Sequence, residues 1–188
     1  APARTWGALL IAATYVVGLA AGALSLLAML HAAAAGWHSV LRRVPEAMAG
    51  TLPLGAGLIG LVVVGAHHIY HWSHEEALLH DALLRAKAPW LNMTGFTVRS
   101  AAYLALWYGG YALLRRLSRV QDEGAAGDPA AAARTARGVS AVFLAVFGVT
   151  FSFASVDWLM SVEPHWFSTM FPWYQFAGAL LSALAAGA

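Results

Sequence analysis

Long apolar runs separated by short polar segments define the pattern of this chain. About five such runs stand out, and each complete run is long enough, at about 1.5 Å per residue, to cross a hydrocarbon core of about 30 Å. We therefore predict an all-α fold, a single polytopic transmembrane bundle of about five spans whose last span is truncated. The predicted spans are residues 6–31, 52–70, 96–114, 139–158 and 171–188.

The connections between the runs differ in charge, which predicts the orientation in the membrane. Most of the eleven Lys and Arg residues lie after the first run, at Arg42 and Arg43, or in the segment 115–138. Because positive residues mark cytoplasmic loops, both connections are predicted to face the cytoplasm. The loops 71–95 and 159–170 then face the other side, the periplasm in a Gram-negative host. With its N-terminus outside, the chain is expected to be part of a larger bundle with further helices upstream and downstream.

The composition agrees with a lipid environment and excludes several kinds of site. The chain is 60% hydrophobic and 11% charged, whereas soluble domains carry about 25% charged residues. With no cysteine, the chain has no disulfide and no thiolate ligand for zinc or an iron–sulfur cluster. An electron carrier must therefore be quinone, haem or a group held by a neighbouring subunit. The basic residues flank apolar runs and form no stripe, so no nucleic-acid partner is expected.

The end of the second run is rich in histidine. His67, His71 and His74 would share one face if the helix continued, a spacing that can hold zinc. However, Ser73 followed by Glu76 predicts a capping box that starts a new helix, running to about residue 86. We therefore predict no metal site and assign these histidines to hydrogen bonding and proton handling.

A haem between facing helices is the alternative role for the histidines. His31 and His38 lie at the opposite membrane face from His67 and His68, a separation of about 25–30 Å along the membrane normal. These residues are too far apart to share one iron. A pair between His165 and the second run stays open, so a haem b membrane cytochrome remains an alternative.

The fourth run carries a stripe of small and polar residues that leads to the outer surface. An acid near the end of a membrane helix is either buried against protein or exposed to interfacial water, and both alternatives stay open for Asp157. At 100° per residue the stripe consists of Thr150, Ala154, Asp157 and Ser161.

The loop that follows places an acid and an imidazole on either side of Pro164, which stops the helix. Glu163 and His165 can together accept protons at neutral pH. We therefore predict that Asp157, Glu163 and His165 are the catalytic groups, acting as proton acceptors or relays.

The third run carries a polar and aromatic residue at every fourth position. Arg99, at its outer end, either extends to the interface or pairs with Asp157 or Glu163 at similar depth. The aromatic members are predicted to pack. In the first run, Gly18 and Gly22 predict a close helix–helix contact. The stripe of the third run consists of Arg99, Tyr103, Trp107 and Tyr111.

Three strings carry a resemblance to a known family. They are HHIYHW at 67–72, KAPWLN at 87–92 and DWLMSVEPHWFST at 157–169. The region 65–176 that contains them resembles the ActF-type integral membrane subunit of bacterial alternative complex III, a quinol:cytochrome c oxidoreductase. This subunit type belongs to the NrfD/PsrC-like family.

The resemblance implies a multi-pass subunit of the bacterial inner (cytoplasmic) membrane. It implies as partners membrane lipid, a sister NrfD-like membrane subunit, an iron–sulfur subunit and cytochrome c subunits. Iron–sulfur clusters and haem c would then lie in the partners, and this chain would bind quinone or quinol without a covalent cofactor.

Our hypothesis is that the chain contributes to quinol oxidation or proton transfer near the periplasmic face. A proton-conducting or structural subunit without its own quinone site is the alternative. The residues expected to line the quinone or the proton exit are His67, His68, His71, Arg99 and Trp166.

Overall fold

The computed structural model describes residues 2–34, 42–122 and 129–188, and this part of the chain is all-helical, with no strand. The predicted all-α class is confirmed. The helices are α1 (Pro2–Ala32), α2 (Arg43–Ala49), α3 (Leu52–Val64), α4 (Glu75–His80), α5 (Ala82–Lys87), α6 (Met93–Asp122), α7 (Pro129–Trp158) and α8 (Phe171–Gly187). Short 3₁₀ turns cover Ala66–His68, His71–Ser73 and Met160–Val162.

Three stretches of the described chain are long and apolar enough to cross a membrane, namely Arg4–Ala32, Arg43–Val64 and Ala130–Val162. The second stretch joins α2 to α3, so the short connection expected around Arg43 is itself helical. The other two predicted spans stay predictions: α6 is 30 residues long but carries the polar stripe, and α8 has 17 residues.

The predicted loops are more helical than expected. α6 continues to Asp122 and α7 already begins at Pro129, so most of the segment 115–138 extends these two helices. Arginine is the commonest residue in the extension of α6 and alanine in that of α7, and both are strong helix formers. Residues 123–128 lie outside the described part. On the other side, the loop 71–95 contains α4, α5 and the start of α6.

Small residues allow α1 to pack closely against α8. A Cβ atom added at Gly22 would collide with the backbone carbonyl of Ala179, whereas at Gly18 it would lie 3.8 Å from the Cβ of Ala179. The predicted close contact of the Gly18 and Gly22 face is therefore confirmed. α1 also packs against α2, α3 and α7, which makes it the central helix of the described bundle.

The bundle has two chemically different ends, which we call the basic end and the site end. At the basic end, α2 lies beside the end of α8, where Val44 faces Gly187, and the arginine-rich part of α6 begins at Arg115. At the site end lie the start of α1, the short helices α4 and α5, the start of α6 and the end of α7. Aromatic side chains of α6 and α7, including Trp107, fill the interior between the two ends.

Candidate functional site

Asp157 lies in the last turn of α7 and is completely buried. Its Oδ1 accepts hydrogen bonds from Trp90 Nε1 at 2.9 Å and Arg99 Nη2 at 3.0 Å. Its Oδ2 accepts from Arg99 Nε at 2.8 Å and from the Tyr103 hydroxyl at 2.9 Å. The predicted pairing of Arg99 with Asp157 is confirmed, and the alternative of a water-exposed Asp157 is wrong. We call these four residues the Asp157 clamp.

The position of Asp157 explains why it needs so many donors. The C-terminal end of a helix carries a partial negative charge from its unpaired carbonyl groups, so a buried carboxylate there is unfavourable by itself. Arg99 supplies the compensating charge in a bidentate geometry, which is the strongest form of this pair. The hydroxyl of Ser161 donates to the backbone carbonyl of Asp157 and so satisfies part of the helix end.

The donors come from one face of α6 and from the segment just before it. Arg99 and Tyr103 are four residues apart and therefore lie on the same face of the helix. Trp90 precedes α6, and its ring lies 4.1 Å from the Cζ atom of Arg99, a cation–π contact. Trp90 thus contacts both charges: its ring covers the guanidinium group and its N–H binds the carboxylate.

Below the clamp, the polar stripes of α6 and α7 face each other. The indole N–H of Trp107 donates to the hydroxyl of Thr150 at 2.9 Å. The indole N–H of Trp158 donates to the hydroxyl of Ser100 at 2.9 Å. The carbonyl of Trp158 accepts from the buried hydroxyl of Tyr70, also at 2.9 Å. The indole bonds of Trp107 and Trp158 join α6 to α7 and fix their antiparallel register, while Tyr70 ties the segment after α3 to the end of α7.

Asp81 connects the two loops of the site end. Its Oδ1 accepts from the backbone N–H groups of Leu83 and Leu84 at 2.9 and 3.2 Å, which caps α5. Its Oδ2 lies 2.7 Å from Nε2 of His165. Desolvation raises the pKa of Asp81, but the two backbone donors and His165 outweigh it, so that the pKa lies below its usual value. A second tie lies nearby, where Lys87 Nζ donates to the carbonyl of Pro164 at 2.6 Å.

The cap at Asp81 corrects the helix predicted from Ser73 to about residue 86. Ser73 donates its hydroxyl to the carbonyl of Tyr70, and no side chain caps the helix that begins at Glu75. The backbone of Asp81 is extended, so it separates α4 from α5. The predicted capping box is therefore wrong, and two short helices replace one.

The histidines at the end of α3 do not share one helical face. His68 stacks on Trp6 at 5.6 Å between ring centres, while Nε2 of His74 lies 2.8 Å from the carbonyl oxygen of His67. His71 is exposed in a separate 3₁₀ turn. In the part of the chain that the structure describes, no group of three or more His, Asp or Glu side chains is arranged to hold a metal ion.

The predicted site residues fall into two levels. Arg99 and Asp157 are joined in the buried clamp, whereas Glu163, His165 and Trp166 lie on the exposed loop before α8. Trp166 packs edge-on against Phe171. His165 pairs with Asp81 across the surface, so the described contacts do not unite the three predicted proton acceptors into one group.

Two cavities flank the clamp. The larger, with a volume of about 660 Å³, is a groove between α1, α7 and α8. Its wall includes the exposed residues Tyr15 and Tyr174, so it opens on the outside of the bundle. A smaller cavity of about 240 Å³ lies under the loop before α8 and is lined by Lys87, Trp90, Ser161, Trp166 and Phe167, among others. Aromatic and polar residues of the groove include Thr14, Tyr15, Trp107, Ser155, Trp158, Tyr174 and Gln175.

Sequence reasoning missed several residues that build the site. Tyr103 was assigned to packing, although its spacing of four from Arg99 places its hydroxyl on the same acid. Asp81 stands directly before a short Ala/Leu/Arg stretch, which is an N-cap signal. Trp90 lies between helices and Lys87 is the last residue of α5, and at both positions periodicity gives no information about partners.

No family model matches the sequence, and no curated protein matches it. The function must therefore be argued from the geometry of the site and from the strings in the sequence.

Proposed function

We propose that this chain is a membrane subunit of a respiratory quinol:cytochrome c oxidoreductase of the alternative complex III type, in the bacterial inner membrane. In this proposal α6 and α8 also cross the bilayer, which gives about five spans. The observation that carries the proposal is the juxtaposition of the groove with the Asp157 clamp. Trp158, the neighbour of Asp157, lines the groove and is hydrogen-bonded into the α6–α7 interface.

The groove suits a lipid-soluble quinol as substrate. Ligand pockets commonly have volumes of about 300–1,000 Å³, apolar walls and a small number of polar groups. The groove has this size, and its opening beside Tyr15 and Tyr174 would admit a molecule from the lipid phase. Gln175 and Thr14 supply hydrogen-bonding groups for a ring hydroxyl, while the indole rings supply flat apolar surface.

Quinol oxidation releases two protons and two electrons, and the two levels of the site suggest different roles. Both oxygens of Asp157 are already occupied by donors. We therefore assign to the clamp the positioning of α6 against α7 and the compensation of charge. His165 and Glu163, on the exposed loop, would accept protons and pass them to the outer aqueous phase. His67, His68 and His71 would extend this exit.

The electrons would pass to partner subunits, because the chain has no cysteine to hold an iron–sulfur cluster. The expected acceptors are one-electron carriers, iron–sulfur clusters and haem c, in an iron–sulfur subunit and in cytochrome c subunits. A sister NrfD-like subunit would cover part of the exposed apolar surface of this bundle.

Crosslinking with a photoreactive quinone tests the proposal. In the purified complex we expect an azidoquinone to label peptides of α1, α7 and α8 that line the groove, and excess quinol to compete with the labelling. Replacing Tyr174 by Ala should lower labelling and raise the KM for quinol, while Trp173→Ala, on the same helix and also exposed, serves as the matched control. Labelling that avoids these peptides, together with unchanged turnover in both variants, would refute a quinone site here.

A proton-conducting or structural subunit without a quinone site is the second candidate, and one observation favours it. The clamp is saturated with hydrogen bonds and lies inside the protein, as expected of a device that holds two helices together. In that case, variants of the groove would leave quinol turnover unchanged, while Arg99→Ala would lower the amount of assembled complex. A haem b cytochrome is the third candidate, and an absorption spectrum with a haem Soret band in the isolated subunit would support it.

A further inference from the structure

An apolar cleft of about 660 Å³ runs along the outside of α7. Its wall is formed by residues between Leu144 and Phe153 of α7 and by the first turns of α8, including Trp173. Val149, Phe153 and Trp173 are exposed, so the cleft opens on the outside of the bundle. The hydroxyl of Ser152 in its wall donates to a carbonyl of its own helix, which leaves the surface of the cleft largely apolar.

The smaller cavity under the loop before α8, which we call the loop cavity, lies at the end of the same face of α7. Val149 and Ser152 line the cleft and Val156 lines the loop cavity, and steps of three and four residues keep all three on one helical face. The ring of Trp90, in the wall of the loop cavity, lies 5.5 Å from the ring of Phe153 in the wall of the cleft. The two spaces are therefore neighbours.

The loop cavity carries a positive charge. Its wall includes Lys87, and among its described residues there is no Asp or Glu. Nζ of Lys87 donates one hydrogen bond, to the carbonyl of Pro164 at 2.6 Å. Because an ammonium group has three N–H donors, Lys87 can still bind an anionic ligand in the cavity.

The acids around the loop cavity are engaged elsewhere or lie outside its wall. Asp81 pairs with His165, and Asp157 pairs with Arg99. Glu163 precedes Pro164 but is exposed and does not line the cavity. Among the described ion pairs Lys87 therefore has no carboxylate partner that would compete with an anionic ligand.

The cleft has about the length of one membrane leaflet. The stretch Ala130–Val162, which contains most of α7, is long and apolar enough to cross a membrane. Leu144 and Phe153 are nine residues apart, which corresponds to about 14 Å along the helix at about 1.5 Å per residue. Half of a hydrocarbon core of about 30 Å is about 15 Å. The loop cavity then lies at the membrane–water interface, where tryptophan is enriched, and Trp90 and Trp166 line it.

We propose that the loop cavity and the apolar cleft together bind one anionic phospholipid of the leaflet at the site end. Its phosphate group binds Lys87, and one of its acyl chains lies in the cleft beside α7. An anionic headgroup is favoured over a zwitterionic one, because the described wall of the cavity offers a cation but no acid for an ammonium group. The proposal requires α7 to cross the membrane and does not depend on quinol binding.

Photo-crosslinking in vesicles tests the bound lipid. The purified complex is reconstituted into phosphatidylcholine that contains a little phosphatidylglycerol with a diazirine at the end of one acyl chain. This probe should label the peptide of α7 that contains Leu144 to Phe153 and the first turns of α8. Phosphatidylcholine with the same diazirine should label these peptides about fivefold less, the effect expected of one lysine near an anionic headgroup. Equal labelling by the two lipids would overturn the proposal.

Variants of Lys87 test the headgroup. Lys87→Gln should lower labelling by the phosphatidylglycerol probe about fivefold, while Lys87→Arg, which keeps the cation, should retain it. Arg85→Gln is the matched control, since Arg85 is an exposed cation of the same short helix and does not line the cavity. The same loss in Arg85→Gln as in Lys87→Gln would overturn a specific headgroup contact.

Gly148→Leu tests the cleft without changing the loop. Gly148 lines the cleft, whereas Gly138 lies on the same helix outside it. Both glycines are exposed, and a Cβ atom at either would meet no atom within 4 Å, so both positions have room for leucine. Gly148→Leu should lower labelling severalfold by filling the cleft, and Gly138→Leu should leave it unchanged. Unchanged labelling in Gly148→Leu would overturn the placement of the acyl chain.

Competition distinguishes a phospholipid from other occupants. Excess inorganic phosphate and excess quinol should both leave the labelling unchanged. Competition by inorganic phosphate would show an anion site that needs no lipid, and competition by quinol would assign the cleft to the quinol; either result would overturn the proposal. Labelling of the isolated subunit but not of the assembled complex would also overturn it, because a partner subunit would then cover this face of α7.

Discussion

Arg99 holds Asp157 with two of its nitrogen atoms, Nε at 2.8 Å and Nη2 at 3.0 Å, across the interface of α6 and α7. The carboxylate is fully buried, while 18% of the arginine side chain remains exposed. The pair therefore joins a carboxylate without contact with water to a guanidinium group on a side chain that is partly exposed to water. This asymmetry decides what happens when either partner is removed.

Replacing Arg99 by Ala should destabilise the protein strongly, because Asp157 would remain buried without a counter-charge. Breaking a buried pair in this way costs about 3–5 kcal/mol. Arg99→Lys should be intermediate, since lysine keeps the charge but cannot bind both oxygens with a planar fork. Thermal unfolding of the purified protein in detergent measures the effect.

Two controls distinguish the loss of the Arg99–Asp157 pair from a general effect of removing a charged side chain. Arg116→Ala removes an exposed arginine from the same helix and should change stability by less than about 0.5 kcal/mol. The double variant Arg99→Met with Asp157→Leu should recover most of the loss, because it leaves no buried charge unpaired. An Arg99→Ala protein as stable as the Arg116→Ala protein would contradict the role of the clamp.

Trp90→Phe should separate the two contacts of the indole. Phenylalanine retains an aromatic ring over Arg99 but removes the N–H that donates to Asp157. Loss of one hydrogen bond to a charged group costs about 1.5–3 kcal/mol, so we expect a lower unfolding temperature. Trp173→Phe, at an exposed position of α8, is the control, and an equal effect of both substitutions would show that the N–H of Trp90 contributes nothing specific.

The sequence predicted those parts of the site that repeat with the period of a helix. The stripe from Arg99 to Tyr111 and the stripe from Thr150 to Ser161 each lie on one face. The similar depth of Arg99 and Asp157 makes their pairing one of the predicted alternatives. The end of α7 at Trp158 and the start of α8 at Phe171 agree with the predicted bounds of the apolar runs, and Pro172 lies in the first turn of α8.

The parts that were missed depend on contacts between distant segments or on competing local signals. Trp90 is 67 residues from Asp157 in sequence, and no local pattern predicts that contact. The Ser73 and Glu76 pattern resembles a capping box, but Asp81 caps a helix more effectively because its carboxylate accepts two backbone N–H groups. The segment 115–138 was predicted as a loop from its charge, although its residues favour helix.

Gly22→Ala should destabilise the contact between α1 and α8. The added methyl group would collide with the backbone carbonyl of Ala179, and a backbone atom can move only if the helices separate. Overpacking of this kind costs about 1–3 kcal/mol. Gly18→Ala is the matched control, since its methyl group would be in ordinary contact at 3.8 Å. Unfolding measurements should place Gly18→Ala near wild type; equal losses for both variants would mean that helix separation is not the cause.

The last prediction concerns the pH dependence of the cap of α5. The pKa of Asp81 is lower in the folded protein than in the unfolded chain, so the unfolded chain binds the proton more readily and acid favours unfolding. The stabilisation of the folded protein by the ionised carboxylate of Asp81 should be complete above the ordinary carboxyl pKa of about 3.9. It should be lost as the pH falls through the lower pKa of the folded protein. Hydrogen exchange, corrected for the intrinsic rate, should show protection of the amides of Leu83 and Leu84 that disappears only in this acidic range.

Three variants test the source of this pH dependence. Asp81→Ala should lose the protection at every pH, and Asp81→Asn should keep a cap without the acidic transition. His165→Gln should move the transition to higher pH. A transition that stays in place in His165→Gln would show that the imidazole does not stabilise the ionised form of Asp81.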